Sequence, residues 1–407
     1  MKRIAVASLV SAAALAAALA VAIPGVAAAA AAARSTSFAE VSGSGSPWQS
    51  VAIDQWAEDV QPEGLTVVFN PDGSAAGRGD YAQGSLVDFA ASDVPFRNGH
   101  DKLGGTRREV SPYGYSYIPG AAGGIAFVYH VSVHGHLYRD LRLSASTLMG
   151  IFTGQITNWD SPQITKDTGQ RLPDLRIVPV VRADGAGPTF FFSDWLSREF
   201  PRQWNAFCAR VTKGRVKAPC GNTEFYPVSG PGWHPKAEEG ANAVTDYVTS
   251  SKANGAIGYD EYAYALDAKA PVASIANPDG RFVQPTARNV TEALTKAVVN
   301  ENPRSADYLQ EDLAGVYASR NPDSYPLSYY GYLIVPRSGT KLPPIFNPAV
   351  GRSLSTFVLF GLCAVGQREL APLGYAPLPS NLIAAGLRQV TQIPGHVAVP
   401  RLSTCEG

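Results

Sequence analysis

The segment VVRADGAGPTFFF, residues 180–192, combines residue types that can hold a small anion. Arg182 offers a planar guanidinium with five N–H donors, and Asp184 can fix its orientation from two residues away. Gly185 and Gly187 leave the backbone bare where a helix is expected to begin, and a helix N-terminus favours negative charge. The segment therefore predicts an oxyanion site, with a purely structural Arg–Asp pair as the alternative.

Apolar runs and turn residues place this segment within an alternating α/β chain. Their spacing predicts helices over 51–60, 145–152 and 353–362, and strands over 65–69, 125–133, 177–181, 255–259 and 332–335. Alternation of this kind predicts a parallel or mixed sheet with helices on both faces. Arg182 would then lie at the end of a buried strand.

The amino-acid composition and the N-terminal residues limit the possible classes of protein. The 34 basic and 34 acidic side chains cancel, which argues against nucleic acid as the main partner because phosphate backbones are bound by clustered Lys and Arg. Lys2 and Arg3 precede an Ala-rich apolar run that ends in small residues near Ala33, so we expect a cleaved signal peptide over 1–33, with a membrane anchor as the alternative. No Cys directly follows this run, and we expect an extracytoplasmic, secreted protein without a lipid anchor.

The four cysteines all follow the predicted signal peptide. An even number of cysteines in an exported chain indicates disulfides, and four cysteines allow three pairings. We expect the pairing between sequence neighbours, which joins Cys208 to Cys220 and Cys363 to Cys405.

Six segments, in this order, resemble the phosphate-binding proteins of high-affinity phosphate ABC transporters, within the type II periplasmic-binding-protein superfold. They are VSGSGSPWQSVAIDQWAEDV, FNPDGSAAGRGDYAQGSLVDFAASDVPF, LMGIFTGQITNWDSPQI, VVRADGAGPTFFFSDWLS, GAIGYDEYAYA and YPLSYYGYLIVP. The resemblance covers nearly the whole chain after the signal peptide.

The resemblance implies two α/β lobes, each a mixed sheet flanked by helices, that are joined by a hinge and close on one anion. Lobe 1 would comprise 37–121 plus 325–407, and lobe 2 would comprise 122–324, with the hinge crossings near 119–124 and 324–330.

The resemblance also implies roles for individual residues. Asp93 matches the family's carboxylate that accepts a hydrogen bond from a protonated phosphate oxygen, although an Asp before V-P is also typical of a turn cap. Ser74 matches a serine that reaches the anion, and a helix N-cap is its alternative role. The expected ligand-binding set is Ser46, Trp48, Ser74, Asp93, Arg182, Asp184, Gly187 and Thr189.

Three positions depart from the family pattern. Pro47 precedes Trp48 where the family has Thr before Phe, while Ala186 and Pro188 replace hydroxyl-bearing residues beside the glycines. A donor to a charged group contributes about 1.5–3 kcal/mol, so losing three without replacement would weaken phosphate binding roughly a thousandfold. Ser46, Ser44, Thr189 and the Trp48 amide are candidate replacements, and the Trp48 indole is a candidate stacking face for a larger, esterified anion.

Two functions from different classes follow. The first is a solute-binding protein that clamps inorganic phosphate or a related oxyanion and delivers it to an ABC permease; we expect a monomer with no cofactor, no metal site and no enzymatic activity. The alternative is a secreted interaction or structural protein that reuses the scaffold after losing high-affinity phosphate binding. The RGD tripeptide at 78–80 is interpreted as chance.

Overall fold

The computed structural model describes residues 38–99, 101–105 and 108–406. The predicted signal peptide, 1–33, lies outside these residues. The strands are β1 Val41–Gly45, β2 Val67–Asn70, β3 Phe89–Ser92, β4 Tyr115–His130, β5 Ser132–Val133, β6 His136–Leu137, β7 Arg142–Leu143, β8 Val178–Arg182, β9 Lys236–Glu238, β10 Ala256–Glu261, β11 Ser274–Ala276, β12 Phe282–Val283, β13 Val298–Val299, β14 Glu311–Asp312 and β15 Ser328–Pro336.

The helices are α1 Pro47–Val60, α2 Ser74–Gln83, α3 Ala145–Phe152, α4 Pro162–Thr168, α5 Gly187–Glu199, α6 Pro201–Val211, α7 Ala241–Thr249, α8 Tyr262–Asp267, α9 Ala287–Leu294, α10 Ala314–Tyr317, α11 Pro348–Leu362, α12 Ala364–Arg368, α13 Ser380–Val390 and α14 Leu402–Cys405. The prediction of α3 is confirmed with its bounds. Helix α1 begins four residues before the predicted helix, because Ser46 caps the amide of Gln49 and Pro47 is well tolerated at the first helical position.

An eight-stranded mixed sheet in the order β2-β1-β3-β15-β4-β10-β8-β9 positions the site. Strands β2 and β3 run parallel to β1, and β8 runs parallel to both β9 and β10. The long strand β4 is shared: its first part pairs antiparallel with β15 as far as Gly124, and its last six residues, from Ile125, pair antiparallel with β10. The sheet therefore has two halves that meet within β4.

The prediction for β4 was wrong at its start. The strand was expected to begin at residue 125, but it begins at Tyr115 and stays buried through the segment PGAAGG. Glycine and proline there resemble a turn in the sequence, yet two of these glycines accommodate neighbouring side chains. A Cβ at Gly123 would lie 2.7 Å from the Trp48 ring, and one at Gly124 would lie 2.7 Å from Pro285.

A cluster of packed aromatic side chains lies between the two halves of the sheet. The rings of Phe191 on α5 and Tyr329 on β15 stack with centroids 4.2 Å apart, and Trp48 on α1 lies 4.9 Å from Tyr329. Tyr375 stacks on the other side of Trp48 at 5.5 Å. These buried rings join residues that are far apart in the chain, and such pairs contribute about 0.5–1.5 kcal/mol each beyond their burial.

Both predicted disulfides are present, Cys208–Cys220 and Cys363–Cys405, so the expected pairing is confirmed. Within the described part of the chain, no single helix has the length and apolar character needed to cross a bilayer. Helix α11 and the following segment Ala364–Leu373, bent by 48° relative to each other, meet that test only together and only by length and composition.

Candidate functional site

A cavity of about 500 Å³ lies between the two halves of the sheet. Six of the predicted ligand-binding residues line it, and they come from segments far apart in the chain: Trp48, Ser74 and Asp93 from the first half, and Arg182, Asp184 and Gly187 from the second. The carboxyl ends of β3, β8 and β10 all reach this cavity, as expected for ligand sites in α/β sheets.

Arg182 is the last residue of β8 and is 8% exposed. Its Nε donates to Asp184 Oδ1 at 2.8 Å, and its Nη2 donates to Asp184 Oδ2. The amide of Gly240 also donates to Asp184 Oδ1, at 3.0 Å, which holds the carboxylate in place. Within the described residues, the three remaining N–H groups of Arg182 make no hydrogen bond, so they are available to a ligand.

The surroundings of Arg182 stabilise the protonated, positively charged form of its guanidinium. Burial would lower the pKa of its guanidinium, but the hydrogen bonds to Asp184 and the nearby carboxyl of Glu261 raise the pKa overall. The pKa of Asp184 is lowered: burial opposes this, and the hydrogen bonds and charge of Arg182 outweigh burial. The pair therefore stays ionised at neutral pH, and both residues line the cavity.

Asp93 follows directly after β3 and is buried. Three side chains donate to its carboxyl: Ser46 Oγ to Oδ2 at 2.9 Å, Ser74 Oγ to Oδ2 at 3.3 Å and Gln49 Nε2 to Oδ1 at 3.2 Å. Burial first, and then the nearby carboxyl of Glu261, nevertheless raise the pKa of Asp93 to about 7. A carboxyl of this pKa can give or take a proton at neutral pH.

Four helices of nine or more residues begin at the cavity. Pro47 of α1, Ser74 of α2, Gly187 of α5 and Ala241 of α7 all line it. Each helix start carries a partial positive charge and amides without intrahelical partners. Together with Arg182 they make the cavity suited to an anion.

Comparison with known proteins agrees with this geometry. The family model described as "PBP superfamily domain" matches residues 27–359. The chain belongs to the PBP superfamily. The phosphate-binding protein PstS of Methanocaldococcus jannaschii is 28% identical over 357 residues, which cover 86% of this chain and 85% of the relative. The phosphate-binding protein PstS of Xylella fastidiosa, strain Temecula1, is 29% identical over 351 residues, which cover 86% of this chain and 84% of the relative.

Two solved structures share the fold of this PBP. The crystal structure of a DING protein superposes with a TM-score of 0.59 at 19% identity, covering 90% of this chain and 98% of the other. A high-affinity periplasmic phosphate-binding protein, PfluDING, bound with phosphate, gives the same TM-score, identity and coverage. The predicted two-lobed binding-protein fold is confirmed.

The two halves of this PBP approach each other closely at Gly187. A Cβ added to Gly187 would lie 2.5 Å from Asp93 Cβ and 2.8 Å from Asp93 Oδ2. Contacts that short are not tolerated, so the close approach of the two halves requires glycine at this position.

Trp48 lines the cavity, but its indole cannot stack on a ligand. The side chain is 2% exposed and its ring lies between those of Tyr329 and Tyr375. Its backbone carbonyl accepts a hydrogen bond from the hydroxyl of Tyr375. The interpretation of the indole as a stacking face is therefore wrong, and the ring anchors α1 instead.

Two other predicted residues support the cavity from behind. Ser46 donates to Asp93 at 2.9 Å, and the hydroxyls of Thr189 and Tyr259 share a hydrogen bond of 2.8 Å in the core. Neither Ser46 nor Thr189 is among the residues that line the cavity. Their hydroxyls position neighbouring groups and do not replace the donors missing at Ala186 and Pro188.

Sequence reasoning missed Glu261, which ends β10 and lines the cavity. The parallel register of β10 with β8 pairs Gly258 with Val180, which places Asp260 beside Arg182. Two consecutive carboxylates at the end of a buried strand were a usable signal, since the carboxyl ends of neighbouring parallel strands meet at one edge.

Proposed function

We propose that this protein binds inorganic phosphate in the cavity between the two halves of its sheet and delivers it to an ABC permease outside the cytoplasm. The observation that carries the proposal is the orientation of Arg182 by Asp184, which leaves three N–H donors facing a cavity. A planar guanidinium with free donors suits the tetrahedral oxygens of phosphate. The names of the curated relatives, phosphate-binding proteins, support the same ligand.

Asp93 supports phosphate over sulfate. Phosphate at neutral pH carries at least one proton that it can share with a carboxylate, whereas sulfate has none and meets only repulsion. The three donors to Asp93 hold its carboxyl at the cavity wall, where it can accept a hydrogen bond from the protonated phosphate oxygen.

The cavity has fewer hydrogen-bond donors for an anion than the family pattern provides. Pro47 and Pro188 occupy the first turns of α1 and α5, and the amide of Ala186 donates to the carbonyl of Glu224 at 3.0 Å. The N-termini of the helices and Arg182 compensate for part of the missing hydrogen-bond donors. We propose a lower affinity for phosphate than a site with all three hydroxyls would have.

The lobe boundaries predicted from the sequence remain part of this proposal, with 37–121 plus 325–407 closing against 122–324. The first boundary lies within β4, and the second lies three residues before β15 begins at Ser328. The pairing register of β4 with β15 shifts between Tyr330 and Tyr332. We propose binding without catalysis, in keeping with the binding proteins among the relatives. An interaction protein that has lost its ligand is not favoured, because the cavity and the free donors of Arg182 remain.

Isothermal titration of the purified protein in phosphate-free buffer tests the proposal. Phosphate should bind and sulfate should not. The variant Arg182→Gln should lose about a thousandfold or more in affinity, because three charge-assisted hydrogen bonds of about 1.5–3 kcal/mol each disappear.

Arg142→Gln is the matched control, since Arg142 also pairs with an Asp two residues away but lies exposed on β7. It should bind phosphate as the unchanged protein does. Absence of binding to any oxyanion by the unchanged protein would instead support the interaction-protein alternative.

A further inference from the structure

A pair of buried carboxyls lies beside Arg182 and is not needed to orient it. Asp260 accepts two hydrogen bonds, from Thr245 Oγ1 to Oδ2 at 2.6 Å and from the amide of Glu261 to Oδ1 at 2.9 Å. Glu261 is 3% exposed and lines the cavity, and its Oε2 has no hydrogen-bond donor among the described residues. Two acceptor bonds fit an ionised Asp260, which leaves Glu261 as the member of the pair that holds a proton.

The charges around the cavity support the same assignment. Arg182 is the one Lys, Arg or His in the described lining, and Asp184 already neutralises it. If Asp93, Asp260 and Glu261 were all ionised as well, the buried set would carry four negative charges against one positive, a net charge of −3. Such a site would repel any anion, because like charges interact strongly where water is excluded.

Arg182 on β8 is the one positive charge among the groups that face Glu261. The others are Asp93 after β3, Asp260 on β10, Tyr264 on α8, Tyr329 on β15 and Tyr375. Burial raises the pKa of all three tyrosines, so they stay neutral. Burial first, and then the charge of Asp260 and a hydrogen bond to it, raise the pKa of Glu261 well above its usual value.

We infer that Glu261 is a specificity-determining residue of this site, which binds its anion only while Glu261 carries a proton, so that phosphate binding is coupled to proton retention. The inference rests on the proposed function. The neutral carboxyl keeps the cavity from repelling phosphate. Ionisation of Glu261 adds a buried negative charge and weakens binding.

The expected pH dependence follows from the sign of this linkage. As pH rises through the titration of Glu261, affinity falls by about tenfold per pH unit for each linked proton. Phosphate bound at alkaline pH raises the proton affinity of Glu261 in turn, so binding there takes up a proton. Calorimetry in two buffers of different ionisation enthalpy counts these protons directly.

The decisive comparison is between the unchanged protein and Glu261→Gln, both titrated with phosphate from about pH 6 to about pH 9. The titrations of phosphate and of Asp93 occur in both proteins, so the difference between the two pH profiles reports the removal of the Glu261 charge. The variant mimics the protonated carboxyl: it should bind as tightly as the unchanged protein at acid pH, at least about tenfold more tightly at alkaline pH, and with one proton fewer taken up.

Glu239→Gln is the matched control, because Glu239 lines the same cavity but is exposed. Its pH profile should run parallel to that of the unchanged protein. If Glu261→Gln gives that parallel profile too, the inference fails while phosphate binding stands. If the unchanged protein binds no phosphate at any pH, the proposed function itself fails.

If Glu261→Gln does not fold, the unchanged protein still decides the question. Above about pH 8, where Asp93 is mostly ionised, its infrared spectrum should show the band of a buried protonated carboxyl, and this band should persist to higher pH when phosphate is bound. A band that is insensitive to phosphate would overturn the inference.

Discussion

Arg182 and Arg78 are both buried guanidinium groups next to carboxylates, yet only one of them can take a ligand. Arg78, on α2, is 1% exposed and uses all five of its N–H donors. Its Nε and Nη2 donate to Glu109 at 2.8 and 3.0 Å, and Nη2 also donates to Glu224 at 3.2 Å. Its Nη1 donates to Ser92 Oγ at 2.9 Å and to a backbone carbonyl.

The surroundings of Arg78 form a network that joins the two halves of the molecule. Arg97 Nε lies 3.5 Å from Glu224 Oε2, and Asp101 accepts hydrogen bonds from Thr223 Oγ1 at 2.9 Å and from the amide of Glu224 at 3.1 Å. Burial raises the pKa of Glu224, although Arg78 and Arg97 lower it in part.

The difference between the two arginines lies in their partners and not in their burial. A guanidinium whose donors are all used can only hold the structure together, whereas one with three unused donors beside a cavity can bind an anion. The comparison predicts that Arg78 matters to stability and Arg182 to binding.

The largest expected effect is on stability, from Arg78→Met. Removing the cation leaves Glu224 buried with only Arg97 near it, so the free energy of unfolding should fall by about 3–5 kcal/mol, measured by urea denaturation. Arg198→Met removes the exposed partner of Asp194 and should cost less than about 1 kcal/mol. An equal loss in Arg182→Gln would contradict the comparison, because Arg182 would then be structural as well.

The next effect concerns the approach of the two halves. Gly187→Ala places a Cβ against Asp93 and should push the halves apart, which lowers phosphate affinity about 10- to 100-fold, a cost of the size expected for overpacking. Titration calorimetry measures it. Gly79→Ala meets no neighbouring atom within 4 Å on α2 and should leave affinity unchanged. Unaltered affinity in Gly187→Ala would show that binding does not need this close contact.

The smallest effect, counted per pH unit, is the pH dependence that Asp93 adds to the stability of the ligand-free protein. Its pKa is about 7 in the folded state against 3.8 for an unperturbed Asp. The folded protein therefore holds a proton that the unfolded chain releases, and stability should fall as pH rises from about 4 to about 7, by up to about 1.4 kcal/mol per pH unit.

Asp93→Asn should remove that contribution, which urea unfolding over the same pH range measures as a difference from the unchanged protein. Asp184→Asn tests the opposite sign. The pKa of Asp184 is lowered by Arg182, so the stability that Asp184 contributes is present at neutral pH and is lost as pH falls below about 4. If the free energy of unfolding varies with pH in the same way for the unchanged protein and for Asp93→Asn, the pKa of Asp93 is not raised in the folded state.

Much of the site was predictable because its groups are local in sequence. Arg182 and Asp184 are two residues apart at a strand end, so their pairing needs no knowledge of the fold. The strand over 177–181 and the helix over 145–152 were read from apolar spacing, and both are present. Arg78, in contrast, was interpreted as part of a chance tripeptide, because its partner Glu224 lies 146 residues away.

The amino-acid sequence by itself determined the alternating α/β elements, the two sequence-local disulfides and the oriented guanidinium at 182, since each depends on residues a short distance apart. Only the tertiary structure decided which buried charges share a space. It placed Glu261 beside Arg182 and Asp93, enclosed the Trp48 indole between two tyrosines, and supplied Arg78 with carboxylates from both halves of the sheet. The physical reason is that desolvation and Coulomb interaction depend on distance through space, which strand order sets and which spacing along the chain does not reveal.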